Sequence, residues 1–256
     1  MVPGRPDRLL DDLAVACRQL AAEGHEDGNW GHLASRDPGG AGFWMKRGGI
    51  GLGEVDGPDD FILLDFDGTQ LAGPGRPHLE WPIHAEILRA RPELGATAHT
   101  HALPFALFSA TDVRLQQLLH ESAAFVEGGV PRFRRTSGLI VTPELGRALA
   151  ETLGRARAVL MASHGATVAG CTVADLAVNV ICLTKAINAQ QTMAATGWPV
   201  IEPDPEISAG KGRRIWSLEM ADVHWSFWVR RDARQRALTV NPVRRNAGNA
   251  SVTTEV

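Results

Sequence analysis

Apolar residues recur at helical spacing from Asp7 to Glu23. Leu9, Leu10, Leu13, Val15, Ala16 and Leu20 predict an opening amphipathic helix, with Gly24 as its stop. A glycine-rich stretch follows from Gly28 to Gly53. The run Phe61-Ile-Leu-Leu-Asp-Phe66 before Asp67-Gly68 predicts a strand entering a hairpin turn. Helical spacing returns from Glu80 to Arg91 and stops at Pro92, and Gly95 to Ala102 reads as a buried strand.

Thr142-Pro143-Glu144 has the form of a helix start, a capping hydroxyl followed by proline in the first turn, and that helix runs to Leu153. Ala158–Ala162 and Ala166–Ala169 predict two short strands around the turn Ser163-His164-Gly165. Thr172 to Thr196 predicts a long helix with a wide apolar face, and Met220 to Arg231 a last one. From Thr239 to Val256 the chain is polar and aperiodic, and disorder is expected there. Strands interleaved with helices, with no repeat or internal linker, predict one α/β domain over residues 1–238.

Composition narrows the function. With 44% apolar and 21% charged residues, the 256-residue chain can form a sizeable core. Lys and Arg (26) nearly balance Asp and Glu (29), so the net charge is −3 and no basic field is available to hold nucleic acid. No apolar run approaches the length of about eighteen residues that a membrane span needs. Met1 to Asp7 contains no apolar signal core, and three scattered cysteines (Cys17, Cys171, Cys182) suit a reducing compartment, so a cytoplasmic location is expected. There is no tyrosine, and there are nine histidines.

The histidines carry the strongest chemical signal. In a strand over Gly95–Ala102, His99 and His101 share one face, roughly 7 Å apart at the backbone, where two imidazoles can converge on one cation. The bland alternative is a pair of core histidines, but unpaired imidazoles are costly in an otherwise apolar strand. His164, in the turn beside Gly165, is the best third ligand; three imidazoles leave a metal position open for catalysis. Glu80 opens the helix before the His-x-His strand, where it is either a general base or a carboxylate favoured by the helix dipole. His84, one turn on, is expected to support or pack. Lys46-Arg47-Gly48-Gly49 is either a carboxylate site through Arg47 or Lys46, or a solvated turn. No phosphate-binding glycine loop and no Gly-x-Ser-x-Gly elbow is present.

Four segments in this order resemble the class II aldolase/adducin family: Gly31-His32-Leu33-Ala34-Ser35-Arg36, Pro77-His-Leu-Glu80, Ala98-His-Thr-His101 and Ser163-His-Gly165. The resemblance runs from about Gly24 to Gly170. It implies a three-layer α/β/α sandwich with a mostly antiparallel central sheet, commonly a homotetramer with active sites between subunits. It also implies that Glu80 is the catalytic acid/base and that His99, His101 and His164 bind a divalent metal, usually Zn2+, with Mn2+, Co2+ or Fe2+ as alternatives.

Departures from the family pattern bear on the substrate. Sugar-phosphate members carry serines where His78 and Leu79 stand, asparagine where His32 stands, and a tyrosine proton donor for which this chain offers His120-Glu121. Gly31-His32 looks more like the decarboxylase-type members. The resemblance therefore implies a metal-dependent C–C lyase acting on an unphosphorylated hydroxy-aromatic or keto acid, a decarboxylase in preference to a retro-aldolase. Gly31, His32 and Arg47 are the expected substrate contacts. An Fe(II) oxygenase using the same three histidines and a non-catalytic adducin-like module are the alternatives. Trp44, Trp81 and Trp198 are expected to fill the core.

Overall fold

Period-two alternation along the strands decides the architecture. In the computed structural model, which describes residues 4–240, eight strands form one sheet. In chain order they are β1 (His32–Arg36), β2 (Phe43–Lys46), β3 (Phe61–Leu64), β4 (Gln70–Ala72), β5 (Ala96–Thr100), β6 (Arg132–Phe133), β7 (Ala158–Met161) and β8 (Gly165–Gly170). The sheet order is β4-β3-β2-β1-β5-β8-β7-β6, antiparallel throughout except between β6 and β7.

Alternate residues feed two cores. Leu33, Trp44, Leu63, Ala98 and Val168 face one side, with α1 (Asp7–Leu20), α3 (Leu103–Ser109) and α5 (Val173–Thr196). Ala34, Phe43, Met45, Ile62 and Leu64 face the other, with α2 (Trp81–Ala90) and α4 (Pro143–Leu153). Each fully buried leucine, isoleucine, valine, phenylalanine or methionine among them stabilises the fold by about 1.5–3 kcal/mol relative to exposure. The expected three-layer sandwich with a mostly antiparallel sheet is what the chain forms. Two further helices, α6 (Pro205–Ile215) and α7 (Leu218–Val240), follow α5.

The caps explain the helix limits. Thr142 Oγ1 accepts from Leu145 N–H and Thr172 Oγ1 from Asp175 N–H, satisfying donors at the starts of α4 and α5. The opening helix ends in one wide turn, Ala21–His25, with Gly24 at φ +88°, as its sequence predicts. Helix α7 continues through Thr239 and Val240, which extends it beyond the expected last helix; the rest of the expected disordered tail lies outside the described residues. Strands β1 and β2 lie within the glycine-rich stretch, where alternation is concealed because the sheet buries His32, Ser35 and Lys46 along with apolar neighbours. No helix among the described residues is long and apolar enough to cross a membrane.

Candidate metal centre

The site forms where β5 ends beside the turn from β7 to β8. His99 is fully buried, and its Nδ1–H donates to the Ala166 carbonyl at 3.1 Å. A carbonyl can only accept, so His99 Nε2 carries a lone pair. His101, two residues on, projects from the same face. Its Nδ1–H donates to the Asp27 carboxylate (Oδ2, 3.2 Å), which leaves a second Nε2 lone pair 2.9 Å from the first.

His164 completes the group from the β7–β8 turn, where Ser163 takes φ +55°. Gly165 makes this approach possible, since a Cβ there would meet the Thr100 carbonyl oxygen at 2.4 Å and His101 Cδ2 at 3.2 Å. His164 Nε2 lies 3.1 Å from His101 Nε2. Glu80 stands immediately before α2, with Oε1 accepting from Ile140 N–H at 2.8 Å. Its Oε2 lies 3.6 Å from His99 Nε2 and 3.8 Å from His164 Nε2. Ligand atoms of Glu80, His99, His101 and His164 all lie within 4.8 Å of one another.

This donor set fits a divalent cation. Two lone pairs held face to face repel unless something positive lies between them. Ligands about 2.0–2.1 Å from a tetrahedral centre are about 3.3 Å apart, close to the spacing found. Burial also supplies the protonation state a metal requires. It pushes His99 well below the usual imidazole range, with His101 and His164 adding to the effect. His101 is lowered by burial against the opposing pull of Asp27, and His164 is pushed down to about 4 by burial and His101. Burial raises Glu80, partly offset by the Ile140 N–H.

His32 lies directly across the β1–β5 ladder from His99, with the rings 5.2 Å apart. Its Nδ1 is 2.7 Å from His84 Nε2, and His84 Nδ1 is 2.7 Å from Thr97 Oγ1. His84 thus has the supporting place its sequence position suggested. Asp27 carries no signal in the sequence, because nothing in a Glu-Asp-Gly-Asn loop announces contact with a residue 74 positions away.

Other expected site residues lie apart from the cluster. Arg47 pairs with Asp60 through Nη2 at 3.0 Å and Nε at 3.1 Å. Lys46 is fully buried, with Nζ bound to the Ile50 carbonyl and its pKa pushed down to about 8 by burial. Neither lines the cavity that opens over the donors, whereas Gly48 and Gly49 do. Gly31 is buried against Leu52. His120 accepts from Trp216 Nε1 through its carbonyl, and Glu121 faces Lys185 at 3.6 Å, so within one chain neither reaches the cavity. Trp44 is buried, as expected, and Trp81 packs at the edge of the second core. Trp198 is 69% exposed rather than a core residue, and the cavity's tryptophan is Trp30.

The fold and these four donors define an α/β sandwich with a candidate metal site at a strand end. The chain belongs to the class II aldolase and adducin N-terminal domain family, whose model matches residues 11–191. It is 34% identical over 172 residues to a 5-methylthioribulose-1-phosphate/5-deoxyribulose-1-phosphate aldolase of Rhodospirillum rubrum, covering 67% of this chain and 75% of the relative. It is 27% identical over 228 residues to a 3,4-dihydroxyphthalate decarboxylase of Rhodococcus jostii, covering 82% and 93%. The structure of an L-fuculose 1-phosphate aldolase from Glaciozyma antarctica superposes with a TM-score of 0.80 at 24% identity, covering 93% of each chain, which shows the shared fold.

Proposed function

We propose that the protein is a divalent-metal-dependent C–C lyase that decarboxylates an unphosphorylated hydroxy-aromatic or keto acid. The observation that carries this reading is the convergence of Glu80, His99, His101 and His164 at one end of a cavity of about 690 Å³, a volume within the range of small-molecule sites. A divalent cation, Zn2+ in the first instance, would be held by His99, His101 and His164 and would supply Lewis acidity for breaking the C–C bond.

The chain's own residues hold and move the proton. Glu80 is fixed by the Ile140 N–H at the cavity, in place to carry a proton to the substrate carbon vacated by CO₂. His32, held by His84, contacts the substrate beside His99. His78 and Leu79 favour an unphosphorylated substrate over a sugar phosphate, since Leu79 offers no hydroxyl to a phosphate. His120 and Glu121 act from a neighbouring copy, in the homotetramer that family membership suggests.

Purified protein should contain one divalent ion per chain. A screen of hydroxy-aromatic and keto acids should find metal-dependent CO₂ release without oxygen uptake. Oxygen consumption during turnover would instead identify the Fe(II) oxygenase, which can use the same donors. A chain with no affinity for Zn2+, Mn2+, Co2+ or Fe2+ would remove the catalytic reading and leave an adducin-like module.

A further inference from the structure

Away from the donors, the cavity wall combines three exposed apolar side chains with one uncommitted cation. Trp30 (63% exposed), Leu79 (71%) and Leu139 (50%) all line it. Large apolar side chains grouped on a concave surface mark a place for apolar ligand area. The cavity's carboxylates are already engaged, Asp27 with His101 and Glu80 with the Ile140 N–H. Arg76 also lines the cavity, and among the described residues no carboxylate or carbonyl is bound to its guanidinium.

The base of Arg76 is nevertheless fixed. Gly48 N–H donates to the Arg76 carbonyl at 2.8 Å, tying the segment before Glu80 to the turn after β2. The nearby cations are unavailable, because Arg47 is held by Asp60 and Lys46 by the Ile50 carbonyl. A guanidinium binds a carboxylate through two parallel hydrogen bonds, which adds direction to charge.

We infer that Arg76 selects the substrate: it binds a second, retained carboxylate on an aromatic acid whose ring lies against Trp30, Leu79 and Leu139. This inference rests on the lyase reading of the same site and specifies its substrate class as aromatic acids with two anionic groups.

The test titrates zinc-loaded protein with phthalate, benzoate and inorganic phosphate, followed by calorimetry and tryptophan fluorescence. Phthalate should bind at least about tenfold more tightly than either of the others, a difference of about 1.4 kcal/mol. R76Q should remove that advantage while leaving benzoate affinity and zinc content unchanged, and Trp30→Ala should weaken both aromatic probes. An unchanged phthalate-to-benzoate ratio in R76Q, or phosphate binding as tightly as phthalate, would overturn the assignment. Full zinc content without a phthalate preference defeats this inference alone. An Arg76-dependent preference in protein that binds no metal defeats the lyase reading and leaves Arg76 as the anion site.

Discussion

Asp27 Oδ2 lies 3.2 Å from His101 Nδ1, behind the imidazole whose Nε2 meets His99 at 2.9 Å and His164 at 3.1 Å. The carboxylate fixes the tautomer that turns a lone pair toward the other donors, and it makes that nitrogen more basic. Asp27→Asn keeps an acceptor oxygen but loses the charge. Its zinc affinity, measured by competition with a chromogenic chelator, should fall about 10–100-fold. His101→Ala, which removes the donor itself, should abolish stoichiometric metal binding. Equal affinity in Asp27→Asn and the parent would make the contact incidental.

Glu80 can be separated from the imidazoles by experiment. In Glu80→Gln, the amide oxygen can still accept from Ile140 N–H, so the local fold is kept. Zinc content should stay near one per chain while CO₂ release falls about 10²–10⁴-fold, the usual share of a general acid or base. Retained turnover would reduce Glu80 to a residue that merely starts α2.

The parts of the site that were legible in the sequence were those governed by local period. His99 and His101 share a face because strand residues alternate, and both lie in the segment that forms β5. Thr142 and Thr172 cap their helices as hydroxyls before helical runs should. Long-range pairing was not legible. Arg47 reads as a free cation until Asp60, thirteen residues later, is seen to bind it. Arg76 carries no local mark at all, and its place in the cavity wall emerges only when the 48–49 turn and the 76–80 segment come together. Strands β1 and β2 were concealed because burying His32 and Lys46 depends on neighbours supplied by the rest of the sheet.

The place of His120 gives a prediction about assembly. Because it lies outside the cavity of its own chain, a catalytic role requires a second copy of the chain. Glu80→Gln and His120→Gln should then each be deficient with full metal. In a head-to-tail ring, each site takes Glu80 from one subunit and His120 from the next. Equal mixing with subunit exchange should therefore restore about a quarter of parental CO₂ release. Failure of the mixture to exceed its two components would remove His120 from catalysis.

His25 predicts a further source of acid sensitivity. The ring is fully buried between Thr100 Oγ1 and Thr184 Oγ1, each at 2.9 Å, with the edge of Phe105 beside it. Thr184 donates its own proton to the Val180 carbonyl, so it must accept from His25 Nε2–H; Nδ1 then accepts from Thr100. Burial pushes His25 down to about 4, against a weak opposing pull from Glu23. The unfolded chain takes up this proton near pH 6.5 and the folded chain only near 4, so between those values the unfolded state binds more protons and stability rises with pH. The His25 contribution is therefore complete above about pH 6.5 and is lost as the pH falls toward 4. Urea unfolding at pH 6.5 and 4.5 should show a drop about 2 kcal/mol smaller in His25→Gln than in the parent. Equal drops would mean that His25 does not exchange its proton on unfolding, and acid sensitivity would then have to come from other buried imidazoles.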